Sequence, residues 1–205
     1  QPDKSARNLA QVRIEFTTGL YDEKKAPAGQ LFNEYFGGGM AGLVFQELRE
    51  ARALAYSAWA HYFNPARPNE ENILVGAIGC QADKTVDAVE AFMELLEKMP
   101  VNETRWQSAH SSILSTYRTN PIGYRSTPSF VYDVNALGLS GDPRKNRYET
   151  LRDAEISLLK EFYEREIQTK AKLLSIVGDS AKIDLEKLSE FGPVTKVGAE
   201  ELFTR

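Results

Sequence analysis

Cysteine is nearly absent from this 205-residue sequence: Cys80 stands alone. That excludes an intrachain disulfide and a cysteine-rich zinc module. Histidine is scarce as well, with only His61 and His110, 49 positions apart. A hydrolytic zinc site commonly needs three protein ligands, two of them histidines spaced on one helix. Neither H-E-x-x-H nor H-x-x-E-H can be written here, so no metal site is expected in this chain. The G-x-S-x-G elbow of a serine nucleophile is missing too. Gly37-Gly38-Gly39 lacks both the spacing and the Gly-Lys-Ser/Thr ending of a phosphate loop. The longest stretch free of Asp, Glu, Lys and Arg runs only from Ala53 to Ala66 and contains His61, Asn64 and Pro65. A spanning helix takes roughly 20 apolar residues, so no membrane insertion is expected. Nor is there a basic block. Lys and Arg total 25 against 29 Asp and Glu, a net charge of 25 − 29 = −4, which argues against nucleic acid or an anionic membrane as partner.

What is present suits a globular domain: 42% hydrophobic and 26% charged residues, near the soluble average. Residues 1–205 are read as one domain with a sizeable core. The sequence opens on Gln1 rather than Met, so the chain is expected to be a piece, or a processed product, of a longer one. Apolar and polar residues alternate over Val12–Thr17 and again over Tyr56–Phe63, where Tyr56, Ala58, Ala60 and Tyr62 share one face. Both read as strands. Ile73–Ile78 is a continuous apolar run, the mark of an interior strand, and Leu173–Val177 is the last strand. Between them the period is helical. One helix starts at Pro27 and a second at Met40, after the glycine triplet. Another runs from Lys84 to Pro100, and Asn102 caps the next. A helix opens at Thr127-Pro128 and ends at Gly138, and Asp153 is expected to cap the one carrying Ile156, Leu159, Tyr163 and Ile167. This order predicts an α+β fold, a mostly antiparallel sheet with helices packed on one face.

Taken singly, the reactive side chains read as structural. Cys80 ends an apolar strand, where an inert thiol is expected. His110 shares a helix stripe with Trp106, Ile113 and Tyr117, and His61 stands among aromatic residues in a strand. Glu161, Glu164 and Glu166 read as a solvated helix face. The chain holds no complete catalytic set.

The stretch from Asn33 to Ser57 is different in kind. Phe36-Gly37-Gly38-Gly39, Leu43, Phe45, Arg49-Glu50, Leu54 and Tyr56-Ser57 resemble a block of the pitrilysin/insulinase-type (inverzincin) zinc metallopeptidases. In the non-catalytic domains of that family the block reads "ffGgg-small-small-x-L-F-x-x-x-R-E-x-x-G-L-x-Y-S". Gly79 at a strand end, Asp142-Pro143 and Ile176-Val177-Gly178-Asp179 extend the likeness over nearly the whole chain. The resemblance implies a clamshell of paired α+β domains closing over a peptide. Its zinc site, H-x-x-E-H plus a distal Glu, belongs to a different, catalytic domain. No cofactor is therefore expected here, and zinc is expected in a catalytic domain of the same or a partner chain. A peptide or unfolded protein is the expected substrate.

The same resemblance implies that Arg49 and Tyr56 contact the substrate, and that Gly37, Gly38 and Gly39 form a structural turn. A guanidinium and a phenol can both donate to a carbonyl oxygen. Arg52 competes for the arginine role. Ala53 stands where the family has Gly, and at φ > 0 an alanine costs of order 1 kcal/mol. Two alternatives stand beside this reading. One is a catalytically inactive member acting as an assembly or peptide-binding subunit; the other is an unrelated α+β module with a closed apolar pocket. The compartment is not read from the residues; the resemblance alone leans toward a bacterial periplasm or cell envelope.

Overall fold

Alternation carries the first strand further than Val12–Thr17. In the computed structural model, which describes residues 8–202, β1 spans Leu9–Leu20, with Ala10, Val12, Ile14 and Phe16 buried on one side. The expected domain limits, Gln1 and Arg205, lie outside the described residues. The other strands are β2 (Ala55–Phe63), β3 (Glu71–Gln81) and β4 (Leu173–Val177), in the order β2-β3-β1-β4. All three pairings are antiparallel. β3 is interior, as its unbroken apolar run requires. β4 is a short edge strand with Leu173 and Val177 exposed, the length at which an edge resists stray pairing.

Three helices widen before they end. α1 (Ala26–Phe32), with Pro27 in its first turn, continues as a π-helical turn over Asn33–Gly37. α2 (Leu43–Phe45) does so over Gln46–Ala51, and α7 (Ile156–Phe162) over Tyr163–Gln168. The remaining helices are α3 (Thr85–Glu97), α4 (Glu103–Thr119), α5 (Thr127–Ala136), α6 (Arg144–Arg152), α8 (Leu185–Leu188) and α9 (Ala199–Leu202). Leu31, Phe32, Tyr35 and Phe36 from α1 and its extension join Leu48, Phe92, Leu96 and Leu159. They bury against Val12, Ile14, Ala60, Leu74 and Ile78 of the sheet. Burying each large apolar side chain contributes about 1.5–3 kcal/mol. This is the α+β class expected, with the core on one side of an antiparallel sheet.

Polar side chains tie the layers. Asn33 serves the free edge of β2 as a neighbouring strand would: its Oδ1 accepts from the Tyr62 amide at 2.6 Å and its Nδ2 donates to the Tyr62 carbonyl at 2.8 Å. The Tyr35 hydroxyl donates to the Pro100 carbonyl at 2.8 Å and accepts from the Asn102 amide at 3.1 Å, fixing the α3–α4 corner. Asn102 caps α4 through the Arg105 amide. Asp153 does not cap α7. It ends α6 and its carboxylate accepts from the Arg152 side chain, while Glu155, not Asp153, stands at the N-cap of α7. The charged segment after Asp142-Pro143 is α6. Glu166 departs from the solvated face as well. It is 7% exposed and ion-paired with Lys25 at 2.7 Å, since the widened turn rotates it inward.

α6 is fastened to the β1–α1 connection by Arg147. Its Nε and Nη2 donate to both Glu23 oxygens at 2.7 and 2.6 Å, and Nη2 donates to the Tyr21 hydroxyl. Burial pushes the Tyr21 phenol up to about 12, helped by the adjacent Glu23. Burial alone would raise Glu23 too, but hydrogen bonds from Arg147 and Tyr21 outweigh it and hold the carboxyl below its usual range. A depressed carboxyl stabilises the fold fully above the unfolded value of about 4.3. That stabilisation is lost as pH falls through the lower folded value. Arg147→Met should therefore cost about 1–3 kcal/mol at pH 7 and flatten the acid limb of a stability–pH curve measured by urea unfolding.

Candidate functional site

Arg49 lies in the π-helical turn that ends α2, and Tyr56 starts β2. The turn between them is closed by two backbone hydrogen bonds, Arg52 amide to Glu47 carbonyl at 3.1 Å and Leu54 amide to Leu48 carbonyl at 2.9 Å. The second bond requires the chain to reverse at Ala53, which adopts φ 50°, the only positive φ on a non-glycine among the described residues. Glycine is the usual residue at such a helix end. Ala53→Gly is expected to raise stability by about 1 kcal/mol, or about 2–4 °C in Tm for a domain of this size. A calorimetric scan checks this.

The Arg49 guanidinium carbon sits 4.8 Å over the Phe45 ring, and its Nε is 3.7 Å from Glu50 Oε1. The side chain is about half exposed and its donors are not consumed by any close hydrogen bond among the described residues. Arg52, by contrast, is engaged: its Nη2 donates to Glu94 of α3 at 2.9 Å. The three glycines occupy the preceding connection. Gly37 ends the π-helical turn after α1. Gly39, at φ 61°, opens a short 3-10 turn over Gly39–Ala41, so the second helix begins at Leu43 and not at Met40.

Tyr56 is where the structure corrects the pattern. Strict alternation predicts it on the buried face with Ala58, Ala60 and Tyr62. The register of β2 against β3 slips between Ala55 and Ser57. One extra residue at this bulge turns Tyr56 to the opposite, helix-free face of the sheet, where it is 45% exposed. There its hydroxyl accepts from Gln11 Nε2 of β1 at 2.6 Å. Gln11 is a contact that sequence reasoning missed. Alternation along β1 places it on the outer face, but only the cross-strand register brings it to Tyr56. Trp59 and Phe63, 44% and 42% exposed, continue the same outer face.

The histidines are held apart. His110 Nε2 donates to the Leu151 carbonyl at 2.6 Å and its ring stacks on Trp106. His61 lies 3.4 Å from the Asn33 amide and 4.4 Å, centre to centre, from the Phe63 ring; burial lowers its pKa. Cys80 is buried, and burial pushes its thiol up. Among the described residues no three His, Cys, Asp or Glu side chains are grouped so as to hold a metal ion. The described side chains therefore do not fit zinc, and no step through a metal is assigned to them. Two open clefts, of about 410 and 360 Å³, lie elsewhere and are lined by neither Arg49 nor Tyr56. Among the described residues no helix is long and apolar enough to cross a membrane.

Arg49 and Tyr56 thus flank one exposed turn at the edge of an antiparallel sheet that carries its helices on one face. The family model of the peptidase M16 inactive domain matches residues 1–106, and the chain belongs to that family. Comparison with curated proteins gives no match. Among solved structures, the chain is similar to a peptidase M16 inactive domain from Pseudomonas fluorescens (12% identity, TM-score 0.73), covering 86% of this chain and 42% of that one. It is also similar to a protease from Helicobacter pylori (14%, 0.69), covering 83% and 41%. A third likeness is to the inactive peptidase domain of a candidate zinc protease from Bordetella parapertussis (12%, 0.66), covering 84% and 93%. At such identities the likeness is one of fold. The chain spans about two fifths of the length of the first two structures and nearly all of the third.

Proposed function

We propose that this domain is a non-catalytic wall of a zinc endopeptidase chamber. It closes over a bound peptide and donates hydrogen bonds from Arg49 and Tyr56 to a substrate carbonyl, opposite a zinc site held in another domain. The observation that carries this reading is the bulge at Tyr56. A residue whose parity belongs to the core is turned out onto the open face of the sheet, beside a turn that presents Arg49. A carbonyl oxygen that gains negative charge during hydrolysis attracts both donors more strongly than the resting amide does, and that difference is what lowers a barrier. The peptide, the catalytic partner domain and the zinc all lie outside the residues of this chain.

The test is reconstitution. This chain and the domain bearing H-x-x-E-H are assayed for peptide hydrolysis separately and together, with and without a chelator. Activity is expected from the combination alone, and the chelator should abolish it. Full hydrolysis by the H-x-x-E-H domain without this chain would contradict the proposal and favour an assembly role.

A further inference from the structure

We propose that Gln11 and Gly79 are positioning residues that hold Tyr56 across the outer face of the sheet, with its hydroxyl proton left free for a peptide carbonyl. The inference rests on the function proposed above and names two residues that it lacks.

The geometry comes from the register. Ser57 of β2 pairs with Gly79 of β3, and Gly79 pairs with Gln11 of β1, which in turn faces Val177 of β4. These four residues form one row across the sheet, and the Tyr56 ring lies along it. It leaves β2, passes over Gly79 and ends at Gln11. A Cβ placed on Gly79 would stand 2.6 Å from both Cε2 and Cζ of Tyr56 and 2.6 Å from Ser57 Oγ, well inside van der Waals contact. Glycine therefore makes the slot in which the ring rests. Its backbone is ordinary, and only the close approach demands the missing side chain.

Gln11 fixes the far end. Its amide Nε2 donates to Tyr56 Oη at 2.6 Å, which occupies a lone pair of the phenol oxygen and not its proton. Among the described residues that hydroxyl donates to nothing. A phenol whose oxygen is held by a donor, and whose own proton has no acceptor, is primed to donate outward. The class of ligand follows: a hydrogen-bond acceptor without a proton of its own, such as the carbonyl oxygen of an extended peptide. Replacing Gln11 by Glu would reverse the contact, since a carboxylate accepts the phenol proton and withdraws it from the ligand.

Two readouts test this, one independent of activity. In the isotope-labelled chain, the Gln11 side-chain amide resonance should move in Tyr56→Phe. In the reconstituted enzyme, Gln11→Leu should lower kcat by about tenfold with KM little changed. Gln11→Glu should be at least as impaired although it preserves a hydrogen bond, and Gln11→Leu should add little to Tyr56→Phe in the double variant. Gly79→Ala should displace the ring and mimic Gln11→Leu; should it fail to fold, the Gln11 variants on the exposed face decide alone. An unmoved amide resonance overturns the inference, as does wild-type kcat in Gln11→Leu where Tyr56→Phe is impaired. Wild-type kcat in Tyr56→Phe itself would instead remove the proposed function, and the amide resonance then decides the positioning contact by itself.

Discussion

Replacing Gly37 by alanine is expected to destabilise the domain by about 3 kcal/mol, or about 6–12 °C in Tm. A Cβ at that position would stand 1.9 Å from the Ala60 carbonyl oxygen and 2.9 Å from its carbon. Both atoms belong to the backbone of β2, so no side-chain rotation relieves the clash. Retreat is blocked on either side. β2 is hydrogen-bonded to β3 along its length, and Asn33, one turn before Gly37, grips the Tyr62 amide and carbonyl. The neighbouring Gly39 is a control. Its φ of 61° disfavours alanine, yet nothing lies within 4 Å of the added carbon. Gly39→Ala should cost only about 1 kcal/mol. Equal losses from the two variants, measured by denaturant unfolding, would show that the close approach of α1 to β2 is not what the glycines serve.

The second large effect is on turnover. In the reconstituted enzyme, Arg49→Ala and Tyr56→Phe should each lower kcat by about 10²–10³, with KM and Tm nearly unchanged. Stability is spared because both side chains are about half exposed. The Arg49–Glu50 pair at 3.7 Å is of a surface kind worth about 0–1 kcal/mol, and the phenol loses one exposed hydrogen bond. If both donors serve one carbonyl oxygen, the double variant should fall well short of the product of the two losses. A rise in KM with kcat intact would instead mark plain ground-state binding.

Much of the scaffold was legible in the residues. The unbroken run Ile73–Ile78 marks an interior strand and β3 is one. Asn102 caps a helix because its side chain reaches the third amide beyond it. Two of the failures share a cause, an extra residue that period counting does not register. The bulge at Tyr56 reverses the face of one residue while the rest of β2 keeps its alternation. The widened turn after α7 carries Glu166 inward, away from Glu161 and Glu164 on the exposed side. Of the site, Arg49 and Tyr56 came from a family-like block. Gln11 came from neither pattern nor block, since it lies 45 residues from Tyr56 and only strand register joins them. Ala53 was legible as an anomaly, and the structure supplies the reason: its φ of 50° is one for which glycine is the natural residue.

Zinc content is the most direct measurement of the central claim. The folded chain is equilibrated with excess zinc, passed through a desalting column and analysed for metal. Far less than one zinc per chain is expected, because His61 and His110 are held in separate hydrogen bonds on different elements. One zinc per chain, lost on His61→Ala or His110→Ala, would place the metal in this domain and contradict the account.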